Sequence, residues 1–347
     1  MKIRLVTDTW EPEINGVVRT LRTTMGILRG MGHDVRVLHP GQFSAVRVPF
    51  YPDIRMAWTR SDDLGRQLDD ADCVHLATEG PLGVTARAWL LRNRRAYTSS
   101  YHTDIPAYLW RYLLVPPQLT YRVLRFFHSR SRKVLVSTTS LARTLASWGF
   151  RNLVRWGRGV DTELFRPREA RSQRLRPLAV YVGRVAVEKN IEAFLKLDRP
   201  IDKVVVGDGP HRPELERRFP RIPFLGALHG EELVAAYADA DVLVFPSKTD
   251  TFGIVMLEAL ACGTPVAAYP VPGPLDVIGG KNAVGALDED LGRAVDYCLQ
   301  YTDRRACRAF AMSNSWEKCT REFLGHLVPS RSREHFSSRA VEAMGAA

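Results

Sequence analysis

The chain has 347 residues, of which 45% are hydrophobic and 25% charged, with a formal net charge of +11. That length suits two domains of ordinary size, the composition is globular, and no apolar run approaches the ~18 residues a membrane-spanning helix needs. Its five cysteines (Cys73, Cys262, Cys298, Cys307, Cys319) are scattered and never form a C-x-x-C pair, which argues against a disulfide framework or zinc site and favours a reducing cytoplasm.

In chain order, residues 3–7 read as a strand with no apolar signal core before it, residues 16–29 as a helix and residues 35–38 as a second strand. Short buried runs follow at 73–76, 96–99 and 134–136. The helical stretches 84–95, 107–117 and 119–133 interleave Trp, Tyr, Phe and Leu with arginine. They can lie in a membrane interface, or equally turn their apolar residues to a core and solvate the arginines. The Arg-rich, Pro-bounded segment 166–177 reads as a link, and strands resume at 178–182, 203–206, 222–224, 242–245 and 265–268. Repeated βα order implies doubly wound parallel sheets, hence an α/β protein with domains at 1–170 and 171–328. The last helix is expected to cross back to the first domain, and residues 329–347 to form a mobile tail. Residues 1–170 hold 26 Lys+Arg against 15 Asp+Glu, whereas 171–347 hold 23 against 23. Nucleic acid, an anionic membrane and anionic small molecules are the candidate partners for that excess. Nucleic acid is set aside because no recognisable binding module is present.

Two loops could approach an anion closely. In TWEPEINGVVRTL a strand leads through Asn15-Gly16 into a helix, and in YVGRVAVEKNIEAF Gly183-Arg184 is followed five residues later by Lys189. Neither is G-x-G-x-x-G or a Walker loop, so a glycine backbone on one and two cations on the other suit a diphosphate instead. A third loop lies within LVFPSKTDTFGIVMLEALACGTPVAA, read as strand, polar loop, helix from about Phe252 to Cys262, and strand. It carries Asp250 and Glu258 eight residues apart, along roughly one side of that helix, with amides near Thr251 to Gly253 facing phosphate or sugar oxygens. Loops beyond the carboxyl ends of parallel strands are where such sheets bind ligands. Asp239-Ala-Asp241 lies at the opposite end of its strand and reads as a structural turn rather than a metal site. The plain alternatives are a capping Asp, a solvated Glu and ordinary surface cations.

Taken in order, NGVVRTL, YHTDIPAY, GRGVDTELF, VGRVAVEKN, VVGDGP and FPSKTDTFGIVMLEALACGTPV resemble glycosyltransferase family 4, retaining nucleotide-sugar enzymes of the GT-B fold. In that fold two Rossmann-like domains face across a cleft. SYHTDIPAY, RWGRGVDTELF and YPVPGPLDV look most like its lipid-directed branch: diacylglycerol glycosyltransferases, glycolipid alpha-mannosyltransferases and sulfolipid synthases. The resemblance implies that Arg184 and Lys189 clamp the donor diphosphate, with the Gly16 amide on the same group. It implies that Asp250 holds sugar hydroxyls and Glu258 the ribose, that Phe252, Gly253 and Ile254 offer backbone amides, and that His102 lies beside the reacting carbon. Asp250 departs from the Glu usual there, and PVPGPLDVIG departs from a Gly-Gly-acid segment.

The expectation is a cytoplasmic, peripherally membrane-associated hexosyltransferase on the inner face of the cytoplasmic membrane. It would use a UDP- or GDP-sugar donor, a lipid acceptor and an anionic membrane surface, with no metal or other cofactor. The residues leave open the base, the sugar (mannosyl, glucosyl or glucuronosyl) and the lipid. A soluble or polysaccharide acceptor is the alternative, followed by a GT-B nucleotide-sugar epimerase, a phosphorylase or a non-catalytic binding relative.

Overall fold

The computed structural model describes residues 1–13, 15–48, 51–168, 174–250 and 252–331. Thr251, the middle of the expected link and most of the expected tail lie outside the described residues. The chain divides into two compact units. One comprises Met1–Ser137, Ala142–Gly157 and the described residues from Thr320 on; the other comprises Thr138–Leu141 and Arg158–Cys319.

The strands of the first unit are β1 (Lys2–Val6), β2 (Asp34–Leu38), β3 (Ala45–Val48), β4 (Tyr51–Ala57), β5 (Cys73–Leu76), β6 (Thr98–Tyr101), β7 (Val134–Val136) and β8 (Leu153–Arg155). Six pair in parallel in the order β2-β1-β5-β6-β7-β8, while β3 and β4 form a separate antiparallel pair. β1 is buried on both faces, as a parallel strand under two helical layers must be. Ile3, Leu5 and Val6 are fully buried, and so is Arg4, whose guanidinium bridges Asp34 and Asp70 at 3.0 Å each. Helix Gly16–Gly30 begins because Asn15 Oδ1 accepts from the Val17 and Val18 amides, and it buries Val18, Leu21, Met25 and Leu28 at helical spacing. The order reverses between β1 and β5, so the loops after these strands splay apart at a topological switch point.

In the second unit β9 (Leu178–Val182), β10 (Asp202–Val206), β11 (Val242–Phe245), β12 (Val266–Ala268) and β13 (Gly285–Leu287) are all parallel, in the order β10-β9-β11-β12-β13. Alternation along each strand feeds two cores. Val180, Val182, Leu243 and Phe245 face one, Ala179, Tyr181, Val242 and Val244 the other. The expected strand at 222–224 is only an isolated bridge, Val205 to Phe224, and the β3–β4 pair, β8 and β13 are additional. Here the switch point lies between β9 and β11, whose following loops carry Arg184, Lys189 and Asp250.

Candidate active site

The β9 loop runs from Gly183 through Arg184 into a short 3-10 turn, Val187–Lys189. Its shape is set from beneath by the loop after β10. The Val185 amide donates to the Asp208 carbonyl at 2.8 Å, and the Gly183 amide to the Val206 carbonyl at 3.0 Å. Gly207 (φ +130°) lies so close that a Cβ there would stand 1.9 Å from the Gly183 carbonyl oxygen, so only glycine fits. Arg184 is half-buried at the lip of this loop.

The β11 loop meets it directly. Lys189 Nζ donates to Asp250 Oδ1 at 2.5 Å, with both side chains about one-fifth exposed. Two further bonds tie the loops: Asn190 Nδ2 to the Pro246 carbonyl (3.1 Å) and Thr249 Oγ1 to the Glu188 carbonyl (3.3 Å). Asn190 takes a left-handed φ of +54°, which turns the chain from the 3-10 turn into helix Ile191–Leu195. Gly273, opening helix Pro272–Ile278, lets the β11 loop lie against it, since a Cβ would sit 2.8 Å from the Asp250 carbonyl and 3.0 Å from that of Phe252. Asn190, Gly207 and Gly273 were missed as site-forming residues. The VGDGP and PVPGP glycines were the available signal, but a loop's neighbour is invisible in sequence.

The helix after this loop is Ile254–Ala261, shorter than expected at its start. Gly253 takes φ +86°, which stops helical geometry from extending back to Phe252. Asp250 therefore lies outside the helix, and its relation to Glu258 is that of loop to helix rather than two helical positions on one side. Phe252, Gly253 and Ile254 are partly exposed at the helix start, where amides lack intrahelical acceptors. Glu258 is 1% exposed and accepts from the Tyr237 hydroxyl at 2.8 Å. At the other end of the sheet, Asp239 closes helix Gly230–Asp239 and the Asp241 carboxylate accepts from the Leu178 amide at 2.8 Å.

In the first unit Gly16 is exposed at the start of its helix, with no atom within 4 Å of where a Cβ would stand. His102 follows β6 directly, is 7% exposed, and packs its ring edge-on against Trp156 at 5.6 Å. Asp104 caps helix Ile105–Leu113 through the Ala107 amide (3.2 Å), and burial raises its carboxyl pKa. Asp8, two residues beyond β1, is engaged by the Thr78 hydroxyl and the Leu82 and Gly83 amides; burial raises its pKa although those bonds oppose it. His75 is enclosed between Thr98 Oγ1 (2.9 Å) and Ser100 Oγ (2.8 Å), with its pKa lowered to about 3, first by burial and then by His128. It is a neutral core histidine.

A sequence profile described as "Glycosyl transferases group 1" matches residues 176–300 and one described as "Glycosyltransferase Family 4" matches residues 14–164. A GDP-mannose-dependent alpha-mannosyltransferase of Mycobacterium tuberculosis is 30% identical over 96% of this chain and 98% of its own. The chain belongs to glycosyltransferase family 4. An alpha-monoglucosyldiacylglycerol synthase of Streptococcus pneumoniae is 26% identical over 85% of this chain and 77% of its own. The fold is shared with sucrose-phosphate synthase from Thermosynechococcus elongatus, at a TM-score of 0.75 and 18% identity over 93% of this chain and 97% of that one. The protein is thus a GT-B, nucleotide-sugar-dependent glycosyltransferase. In family 4 terms the Arg184–Lys189 loop, the Asp250 loop and the Glu258 helix are grouped within one unit, at one sheet's switch point.

Proposed function

We propose that this family 4 enzyme transfers a hexosyl unit, with retention, from a UDP- or GDP-sugar to a hydroxyl of a membrane lipid such as diacylglycerol or a glycolipid. The observation that carries the lipid reading is one surface of the first unit. Helices Ile105–Leu113 and Pro117–His128, with Leu114 just after the first, expose Trp110, Leu113, Leu114, Leu119, Val123 and Phe126, each more than half exposed. Arg122, Arg125 and Arg130 are exposed on the same stretch, and the Arg87 guanidinium lies 4.6 Å over the Phe126 ring. Apolar groups flanked by arginines suit an interface with anionic headgroups. No helix among the described residues is long and apolar enough to cross a membrane, so docking rather than spanning is proposed. The M. tuberculosis and S. pneumoniae relatives, named for GDP-mannose and for a diacylglycerol product, support the same reading.

In the proposed mechanism Arg184 and Lys189 bind the donor diphosphate, aided by the amides at Phe252 to Ile254. Asp250 binds sugar hydroxyls, Glu258 the ribose, Gly16 contributes a backbone amide and His102 lies by the reacting carbon. The bond from the anomeric carbon to the β-phosphate oxygen breaks as the acceptor oxygen bonds on the same face. The acceptor proton passes to the leaving phosphate. Fixed cations and amides opposite that developing charge supply the stabilisation, and no metal is required in this proposal. The test is purified protein with vesicles of phosphatidylcholine, phosphatidylglycerol and diacylglycerol and a panel of labelled UDP- and GDP-sugars, with products separated by chromatography. A labelled lipid is expected. Label appearing only in water-soluble product would overturn the lipid reading.

A further inference from the structure

We propose that Trp156 is a positioning residue for His102, and that the helix ending the described chain acts on His102 through Phe323 and Trp156. The inference rests on the role proposed for His102. It arises from a stack of rings inside the first unit that brings together separate segments of the chain. Trp156 is fully buried. Its ring centroid lies 5.6 Å from that of His102 at 71° and 4.8 Å from that of Phe323 at 45°. Phe323 in turn meets His75 edge-on at 4.9 Å. These separations lie within the range in which aromatic pairs attract specifically rather than merely exclude water.

The indole is held by more than contact. The Trp156 amide donates to the Val136 carbonyl at 2.8 Å, continuing the sheet past β8. On either side the chain is fastened to helix Trp316–His326: His326 Nε2 donates to the Arg155 carbonyl at 2.8 Å, and the Gly157 amide donates to Glu322 Oε2 at 3.2 Å. Phe323 lies between these two anchors and fills the space behind the indole. An imidazole at a strand end has two side-chain torsions to lose. Here the indole lies against the imidazole and Phe323 packs on the indole in turn, so in a close-packed interior a change at either ring is felt at the imidazole. His75, held between two hydroxyls on the adjacent strand, meets both Trp156 and Phe323 edge-on and so adds a fixed ring to the stack. Small displacements at a reacting centre cost rate steeply, so a ring set by this stack ties turnover to helix Trp316–His326.

The experiment uses the full chain labelled at histidine Cε1. Of its nine histidines, His102 is assigned by the signal missing in His102→Asn, and exposed His229 serves as internal control. In Trp156→Leu and in Phe323→Leu the His102 signal is expected to move while that of His229 stays. Transfer in the lipid assay above should show kcat falling about 10- to 100-fold with the donor KM within about twofold. Trp156→Phe, which keeps a ring there, should stay near wild type in both. A His102 signal unmoved in folded Trp156→Leu and Phe323→Leu protein would overturn the proposal, as would a change confined to donor KM. Should Trp156→Leu not fold, Phe323→Leu and Trp156→Phe decide alone. Equal transfer by wild type and His102→Asn would remove the catalytic reading of His102, while the signal shift would still report on the positioning.

Discussion

Lys189 Nζ lies 2.5 Å from Asp250 Oδ1 and joins the loops that follow two adjacent strands, β9 and β11. A carboxylate set against a lysine holds the ammonium at one place before any donor arrives. In the proposed mechanism it also places the acid that binds the sugar beside a cation that binds the phosphate. Lys189→Ala removes one fixed cation and should lower kcat by the equivalent of about 3–4 kcal/mol, with little change in melting temperature. Lys189→Arg should rescue only partly, because a planar fork does not replace a compact ammonium. Steady-state kinetics with thermal melts check this, and wild-type turnover in Lys189→Ala would refute it.

Glu258 and Tyr237 form a buried pair, and its two members should fail differently. Glu258→Gln keeps a side chain able to accept from the Tyr237 hydroxyl, so stability should fall little while donor binding and transfer fall at least about tenfold, one lost charged hydrogen bond being worth that much. Tyr237→Phe leaves a carboxylate oxygen without that donor and should cost about 1–3 kcal/mol of stability. Urea unfolding beside donor titration calorimetry separates the two.

At Gly253 the chain needs both a positive φ and an absent side chain. A Cβ there would stand 2.7 Å from the Phe245 ring and 3.0 Å from Met256. Gly253→Ala should therefore destabilise by about 1–3 kcal/mol, since it combines backbone strain with a clash. It should also displace the Phe252 to Ile254 amides, so transfer should fall more than stability alone explains. A fully active, fully stable Ala variant would contradict this.

His75 should make the first unit acid-sensitive. Its folded pKa, near 3, lies below the ordinary value of 6.5, so between these values the unfolded chain binds the extra proton. Stability from this group is present above about pH 6.5 and falls as the pH drops toward 3, at about 1.4 kcal/mol per pH unit. His75→Gln should be less stable at neutral pH yet show a shallower loss on acidification. Identical slopes for variant and wild type would show that other groups govern the acid limb.

Val123 and Phe126 lie 59% and 68% exposed on the outer face of helix Pro117–His128. Replacing both with Ser should leave stability within about 0.5 kcal/mol, as exposed positions usually do. The double variant should float with phosphatidylglycerol vesicles far less than wild type does. Arg122→Glu with Arg125→Glu should weaken flotation chiefly at low salt, where exposed charges are least screened. Unchanged flotation in both would dismiss this face as the docking surface.

Much of this molecule is legible in its sequence. Strands buried on both faces are continuous apolar runs, so residues 73–76, 134–136, 178–182 and 242–245 could be placed to the residue. The family followed from six motifs whose order is far more specific than any one of them. The shift of the helix start from Phe252 to Ile254 was less accessible, because Gly253 can enter either backbone region and only its packing on Phe245 and Met256 chooses.

The sequence alone settled which residue types stand beyond each strand end, and the order of its six motifs carried the resemblance to the sugar transferases of family 4. Tertiary structure alone decided that Lys189 meets Asp250, that Gly207 and Gly273 brace their loops, and that Phe323 reaches His102 through Trp156. Local propensity and hydrophobic period act over a few residues and can be read along the chain. These contacts join residues separated by tens to hundreds of positions, and strand order and loop packing exist only once the sheets have closed.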